Sequence, residues 1–205
     1  MAKNRDPVVI GIAGGIGAGK SAVAKAFADV GCMVVDYDAL AAEALHRPEI
    51  RDTLVQWWGN RIVDSSGEID KREVARIVFE DDNERRRLEN LIHPLIRRSR
   101  SEMMAEAQRR DPPAPAVIVD APLLYEAGLD RECDAVVFVD APESVRQDRV
   151  RRTRGWDPAE LARREASQWP LDRKRALSRF IVENRGELTD LTVRCRSILA
   201  TLLER

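Results

Sequence analysis

Five glycines crowd into residues 11–21, GIAGGIGAGKS, and an apolar run, PVVIGIA from residue 7, leads straight into them. No other stretch of the chain constrains its fold as tightly. Val8 to Ala13 is β-branched, apolar and bounded by glycine, as a buried central strand is. From Ser21, SAVAKAFADVG sets Val23, Phe27 and Val30 at helical spacing and stops at Gly31, a C-cap residue. Residues 14–21, GGIGAGKS, thus satisfy G-x-x-x-x-G-K-[ST] in the context that pattern requires, after a strand and opening a helix. Gly15-x-Gly17-x-x-Lys20 also begins like a dinucleotide fingerprint, but its third glycine is missing.

The physics of such a loop is that of a phosphate cradle. Without Cβ atoms, successive N–H groups can curl around an anion, and the helix N-terminus adds positive potential. The expected phosphate-binding set is Gly15, Gly17, Ala18, Gly19, Lys20, Ser21 and Ala22, with Lys20 reaching the β- and γ-phosphates and the Ser21 hydroxyl ligating Mg²⁺. These residues imply a P-loop NTPase that binds a nucleoside triphosphate with Mg²⁺.

Three more short apolar runs follow, at 32–36, 116–120 and 135–140, and each ends in an aspartate: Asp36, Asp120 and Asp140. A weaker run at 179–183 precedes Asn184-Arg185-Gly186, and 188–203 reads as an amphipathic closing helix. Short strands alternating with helical segments predict an α/β three-layer fold: a parallel five-stranded sheet, helices on both faces, and ligands at the carboxyl ends of the strands. Some eighty polar, arginine-rich residues between the second and third strands form a helical insert anchored by Trp57, Trp58, Leu88, Leu91 and Ile92. The chain of 205 residues divides into one core (1–37, 116–148 and 175–205), an insert (38–115) and a lid (149–174).

Charge and cysteine content exclude several classes. Thirty-four basic against thirty-five acidic residues leave a net charge of -1, so no global field draws nucleic acid or an anionic membrane. Cys32, Cys133 and Cys195 are odd in number and scattered, without C-x-x-C spacing, which predicts buried thiols rather than disulfides or zinc. Neither a signal peptide nor an apolar span of membrane length is present, so the expected location is cytoplasmic. The expected state is a monomer or weak homo-oligomer.

Missing features narrow the nucleotide chemistry. No N-K-x-D guanine-reading stretch follows the later strands, which favours adenine, and the length suits a small-molecule kinase. Such an enzyme needs a base, a lid and an acceptor site. Asp36-Tyr37-Asp38 supplies candidate bases at a strand end beside the phosphates, with capping of the next helix as the competing role. Residues 146–154 hold five arginines followed by Gly155, suited to close over a transferring phosphoryl group. An exposed basic helix face is the other role open to that run.

GGIGAGKS, VVDYDALA, LENLIHPLIR, VDAPLLYEAGLD and RVRRTRG occur in the order found in dephospho-coenzyme A kinases, followed by Arg164-x₃-Gln168-x₅-Lys174 and Asn184-x-Gly186. The chain resembles that family over most of its length. The resemblance implies transfer of the ATP γ-phosphoryl group to the ribose 3′-hydroxyl of dephospho-CoA, the last step of coenzyme A synthesis. It implies Asp38 as base and Asp120 holding the magnesium's water shell and positioning the acceptor. Arg149 and Arg152 fall to phosphate contact, Asn184 and Gly186 to adenine, and His93, Arg97 and Leu123 to the acceptor. Ala22 stands where relatives often have threonine, Tyr37 replaces a small residue between the aspartates, and Leu177-Ser178 replaces a common Ala-Asp pair. A kinase for another small hydroxyl or nucleotide acceptor, and a non-catalytic ATP sensor, are the alternative readings.

Overall fold

A computed structural model describes residues 7–185 and 188–204. Five strands, β1 (Val8–Gly14), β2 (Met33–Asp36), β3 (Ala116–Asp120), β4 (Ala135–Asp140) and β5 (Phe180–Glu183), form one sheet in the order β2-β3-β1-β4-β5. Every pairing is parallel, as expected from short β-branched runs separated by helices. The most apolar run, β1, takes the centre, where both of its edges are hydrogen-bonded and both faces covered.

Alternation along the strands sorts the core into two layers. Ile10, Ile12, Ile118, Val137 and Val139 join Val23 and Phe27 of helix α1 (Lys20–Asp29) and Leu191, Cys195 and Leu199 of α9 (Leu188–Leu203) in one cluster. Phe27 is fully buried there, worth about 1.5–3 kcal/mol on its own. Gly31 follows α1 in the left-handed region, with φ 92°. On the other face Leu124 approaches Gly11 so closely that a Cβ there would lie 2.9 Å from the leucine methyl. A larger residue there would have to displace the ends of the Leu124 and Cys133 side chains.

Register places the chemistry. Ile12 pairs with Asp120, and Asp120 with Asp36, so two of the strand-ending aspartates sit side by side at the carboxyl edge where the glycine loop begins. Helix α6 (Glu143–Arg154) leaves β4 at that edge and ends at Gly155, whose left-handed φ of 69° suits only glycine well. Two shorter helices, α7 (Pro158–Glu165) and α8 (Leu171–Leu177), precede β5.

Residues 37–103 form a compact unit of their own, against 1–36 and 104–205 for the sheet. The sequence expectation put this insert at 38–115. The difference lies at its far end, because helix α5 (Asp82–Arg109) runs on without a break, with Pro94 inside it, and its last six residues belong to the sheet unit. There Ala107 is fully buried and its carbonyl accepts from the Ala114 amide at 2.9 Å.

Within 37–103 lie α2 (Tyr37–Leu45), α3 (Pro48–Trp58), α4 (Lys71–Glu80) and most of α5. Among the described residues, Tyr37, Ala44, Ile50, Leu54, Trp58, Ile62, Ile69, Val74, Ile77 and Ile92 are buried there. Asp70 caps α4 by accepting from the amides of Arg72 and Glu73. Trp58 is buried as expected and donates its indole N–H to Glu84 at 2.7 Å, while Trp57 lies under the Arg87 guanidinium.

Candidate active site

The glycine loop turns between β1 and α1 through conformations that only glycine adopts easily. Gly17 and Gly19 have φ of 77° and 93°. A Cβ on Gly17 would meet the Arg146 carbonyl at 2.8 Å, and one on Gly19 would overlap the Asn184 amide at 2.1 Å. The first main-chain bonds of α1 come from Ala22 and Val23, both to the Gly19 carbonyl. No side-chain hydrogen bond caps this end of α1, a helix N-terminus of the kind that anions occupy. Lys20 arches back so that Nζ donates to the carbonyls of Gly14 at 3.1 Å and Gly15 at 3.2 Å. Its ammonium is thereby stationed across the mouth of the cradle.

Around the loop stands a ring of donors aimed at its carbonyls. The guanidinium of Arg149 donates to Gly17 and Ala18, at 3.4 and 3.0 Å, and to the carbonyl and Oδ1 of Asn184, both at 3.2 Å. Asn184 is buried, and its Nδ2 donates to the Ala18 carbonyl at 2.9 Å. The sequence expectation gave Arg149 to phosphate and Asn184 to adenine. Here both are bonded to the phosphate loop itself. Arg146, one turn before Arg149 on α6, is almost fully buried, donating to Ile16 and paired with Glu165 of α7. Arg152 points to solvent, with 81% of its side chain exposed and Asp148 3.9 Å away.

Ser21 opens α1 beside Lys20, and Asp120 ends β3 next to Asp36. A hydroxyl, carboxylates and phosphate oxygens are the hard donors that Mg²⁺ prefers, so this edge fits the ion. Among the described residues no cluster of three or more His, Cys, Asp or Glu could hold a metal alone. Phosphates and water would therefore supply most of the shell. Leu123, three residues past Asp120, is 44% exposed. Gly186 and the side chains of Asp38, His93 and Arg97 lie outside the described residues.

Behind the loop is a polar hub that spacing alone did not reveal. Lys174, 1% exposed, reaches Glu126 Oε1 at 2.7 Å and Gln168 Oε1 at 3.1 Å. The same carboxylate oxygen accepts from the Trp169 amide at 2.8 Å. Tyr125 stacks on Trp169 and shares a 2.8 Å hydrogen bond with Ser178. Burial raises the tyrosine's pKa, with the Ser178 bond opposing it. DAPLLYE and the Gln168/Lys174 spacing are thus one buried assembly, tying the turn after β3 to α8.

Comparison with known proteins decides the family. A dephospho-CoA kinase family model matches residues 8–190. The chain belongs to the dephospho-CoA kinase family. It is 38% identical to the dephospho-CoA kinase of Synechococcus sp. (strain CC9902) over 184 residues, 89% of this chain and 90% of that one. A crystal structure from Thermus thermophilus superposes with a TM-score of 0.84 at 35% identity, covering 97% of this chain and 99% of the other. The dephospho-CoA kinase from Campylobacter jejuni shares the fold, with a TM-score of 0.66 at 21% identity over 96% and 97% of the two chains. Members of this family are kinases, so ATP is the co-substrate the glycine loop serves.

Proposed function

We propose that the chain transfers the γ-phosphoryl group of Mg²⁺-bound ATP to the ribose 3′-hydroxyl of dephospho-CoA. Family membership supports the acceptor, and one observation carries the phosphate half: Lys20 lies across a loop whose carbonyls are tied outward by Arg149 and Asn184. Outward carbonyls leave amides for the β-phosphate, and Lys20 would exchange its carbonyl partners for phosphate oxygens of greater charge. Mg²⁺ bound to Ser21 and to water held by Asp120 would offset charge on the leaving group.

Asp38, two residues beyond the end of β2, is the base in this reading. Its carboxylate orients the attacking hydroxyl and accepts its proton as the new bond forms. The insert receives the acceptor nucleotide, with His93, Arg97 and Leu123 as contacts, while Asn184 and Gly186 border the adenine. Closure of 149–174, bringing Arg152 toward the phosphates, excludes water and so suppresses idle hydrolysis.

The test is an acceptor assay. Purified protein with Mg²⁺ and ATP should convert dephospho-CoA to coenzyme A with stoichiometric ADP. Phosphorylation of nucleoside monophosphates or sugar acids with dephospho-CoA untouched would refute the assignment. Asp38→Ala should lower kcat by at least about 10²-fold while ATP still binds. An unchanged rate would remove Asp38 from its role.

A further inference from the structure

Three successive carbonyls of the glycine loop are each held from outside it. Ile16 accepts from Arg146 Nη1 at 3.4 Å, Gly17 from Arg149 at 3.4 Å, and Ala18 from Arg149 at 3.0 Å and Asn184 at 2.9 Å. In a trans peptide the C=O of one residue and the N–H of the next point in opposite directions. Pulling these carbonyls outward therefore turns the amides of Gly17, Ala18 and Gly19 the other way. The Ala18 amide folds onto the Gly15 carbonyl at 3.2 Å. By the same peptide geometry, the amides of Gly17 and Gly19 turn away from Arg146, Arg149 and Asn184, toward the side a phosphate would occupy.

Arg146 differs from the other two holders. Its side chain is 7% exposed, and an arginine cannot shed its charge to suit a dry site, so it requires a counter-ion. Glu165 provides one, from the last turn of α7. The pair sits directly against Gly15: a Cβ on that glycine would lie 3.1 Å from Arg146 Nη1 and 3.3 Å from Glu165 Oε1. Helix α6 closes in as well, with the Arg146 carbonyl and the Val150 side chain at 2.8 and 3.0 Å from a Cβ on Gly17. A buried ion pair contributes little net stability against apolar residues of similar size, which leaves its geometry as what it supplies here.

We propose that Arg146, oriented by Glu165, is a positioning residue for ATP. It presets the amides of the glycine loop before the nucleotide arrives and acts on nucleotide affinity, leaving acceptor use alone. The proposal rests on reading this loop as the ATP site.

The test compares Mg²⁺-ATP binding by calorimetry with steady-state kinetics in both substrates. In Arg146→Met, Kd and KM for ATP should rise about tenfold, the scale of one lost charge-assisted hydrogen bond, with kcat and the KM for dephospho-CoA within about twofold of wild type. Arg146→Lys should recover part of the loss, keeping the charge but not the planar fork. Glu165→Gln should weaken ATP binding in the same direction.

Arg146→Met alone leaves Glu165 unpaired and can fail to fold, so the double change Arg146→Met with Glu165→Leu is measured beside it. The double variant should regain melting temperature yet keep the weakened ATP affinity. A purely structural role would lower the melting temperature and the active fraction with an unchanged Kd. A folded single or double variant that binds ATP within about twofold of wild type overturns the proposal. Wild-type protein that binds no ATP would overturn the reading of the loop itself.

Discussion

In the unit 37–103, Arg76 bridges Glu73 at 2.9 Å and Glu80 at 3.3 Å on the open face of α4, in contact with water throughout. In the sheet unit, Lys174 holds Glu126 at 2.7 Å with only 2% of its side chain exposed. Both are pairs of opposite charge at hydrogen-bonding distance, yet they do different things. Exposed pairs trade hydration for a screened attraction and fix little, whereas buried ones must be satisfied in one geometry or leave a charge stranded. The insert carries its arginines mostly as the solvated faces of helices. The sheet unit spends a few buried charges on holding the turn after β3, α7, α8 and the glycine loop in register.

On that contrast, the largest losses come from the phosphate side. Lys20→Ala removes the cation stationed over the cradle and should lower kcat/KM by about 10³-fold, measured with saturating dephospho-CoA. Gly19→Ala comes next. The added methyl would sit 2.1 Å from the Asn184 amide at a φ of 93°, so either Asn184 or the loop must give way. ATP binding should fall below detection while the sheet stays folded by circular dichroism. Retained affinity would show that the Asn184 contact is dispensable.

How much of this the sequence disclosed depends on distance along the chain. The strand, loop and helix of residues 8–29 were legible because every determinant is local: β-branching, glycines, then apolar spacing. Asp120 and Asp36 were placed at one edge by the parallel-sheet rule alone. Arg149 is the opposite case. Its contacts lie 131 and 132 residues away in the loop and 35 away at Asn184, and a run of five arginines carries no trace of which side chain turns inward. Helical period could not choose either, since Arg146, Arg149 and Arg152 stand three residues apart in turn; only in the fold is Arg146 buried and Arg152 exposed. Glu126, Gln168 and Lys174 were visible as a pattern, but their union needs the chain folded.

Stability changes should separate the two units next. Lys174→Met strands the Glu126 carboxylate, whose buried Oε2 has no hydrogen-bond partner among the described residues, and should cost about 3–5 kcal/mol by chemical denaturation. Replacing both residues by apolar ones should restore most of it. A loss below about 1 kcal/mol in the single variant would place the hub among the solvated pairs.

The buried thiols give a smaller, pH-dependent effect. Burial pushes Cys32 up to about 11 and Cys195 up to about 12. Both stay protonated in the fold at pH 9, while an unfolded thiol near its ordinary value of about 8.5 ionises. The raised folded value means that their contribution is intact below about pH 8.5 and declines as pH rises toward 11 and beyond. Denaturation midpoints should therefore fall between pH 8 and 10, less so in a Cys32→Ala, Cys195→Ala variant. Ellman's reagent at pH 8 should label Cys133 well before the other two.

The smallest effect belongs to the insert. Arg76→Ala deletes both partners' cation at once, and a geometric count of contacts would rank it with Lys174. Its contacts to Glu73 and Glu80 raise the guanidinium's pKa, but water screens them, and the two glutamates can rehydrate where they stand. The melting temperature should move by less than about 1 °C, and adding salt should leave wild type and variant alike. A shift comparable to that of Lys174→Met would mean that the charges of α4 are structural after all, and the division between solvated and buried pairs would no longer follow the division between the two units.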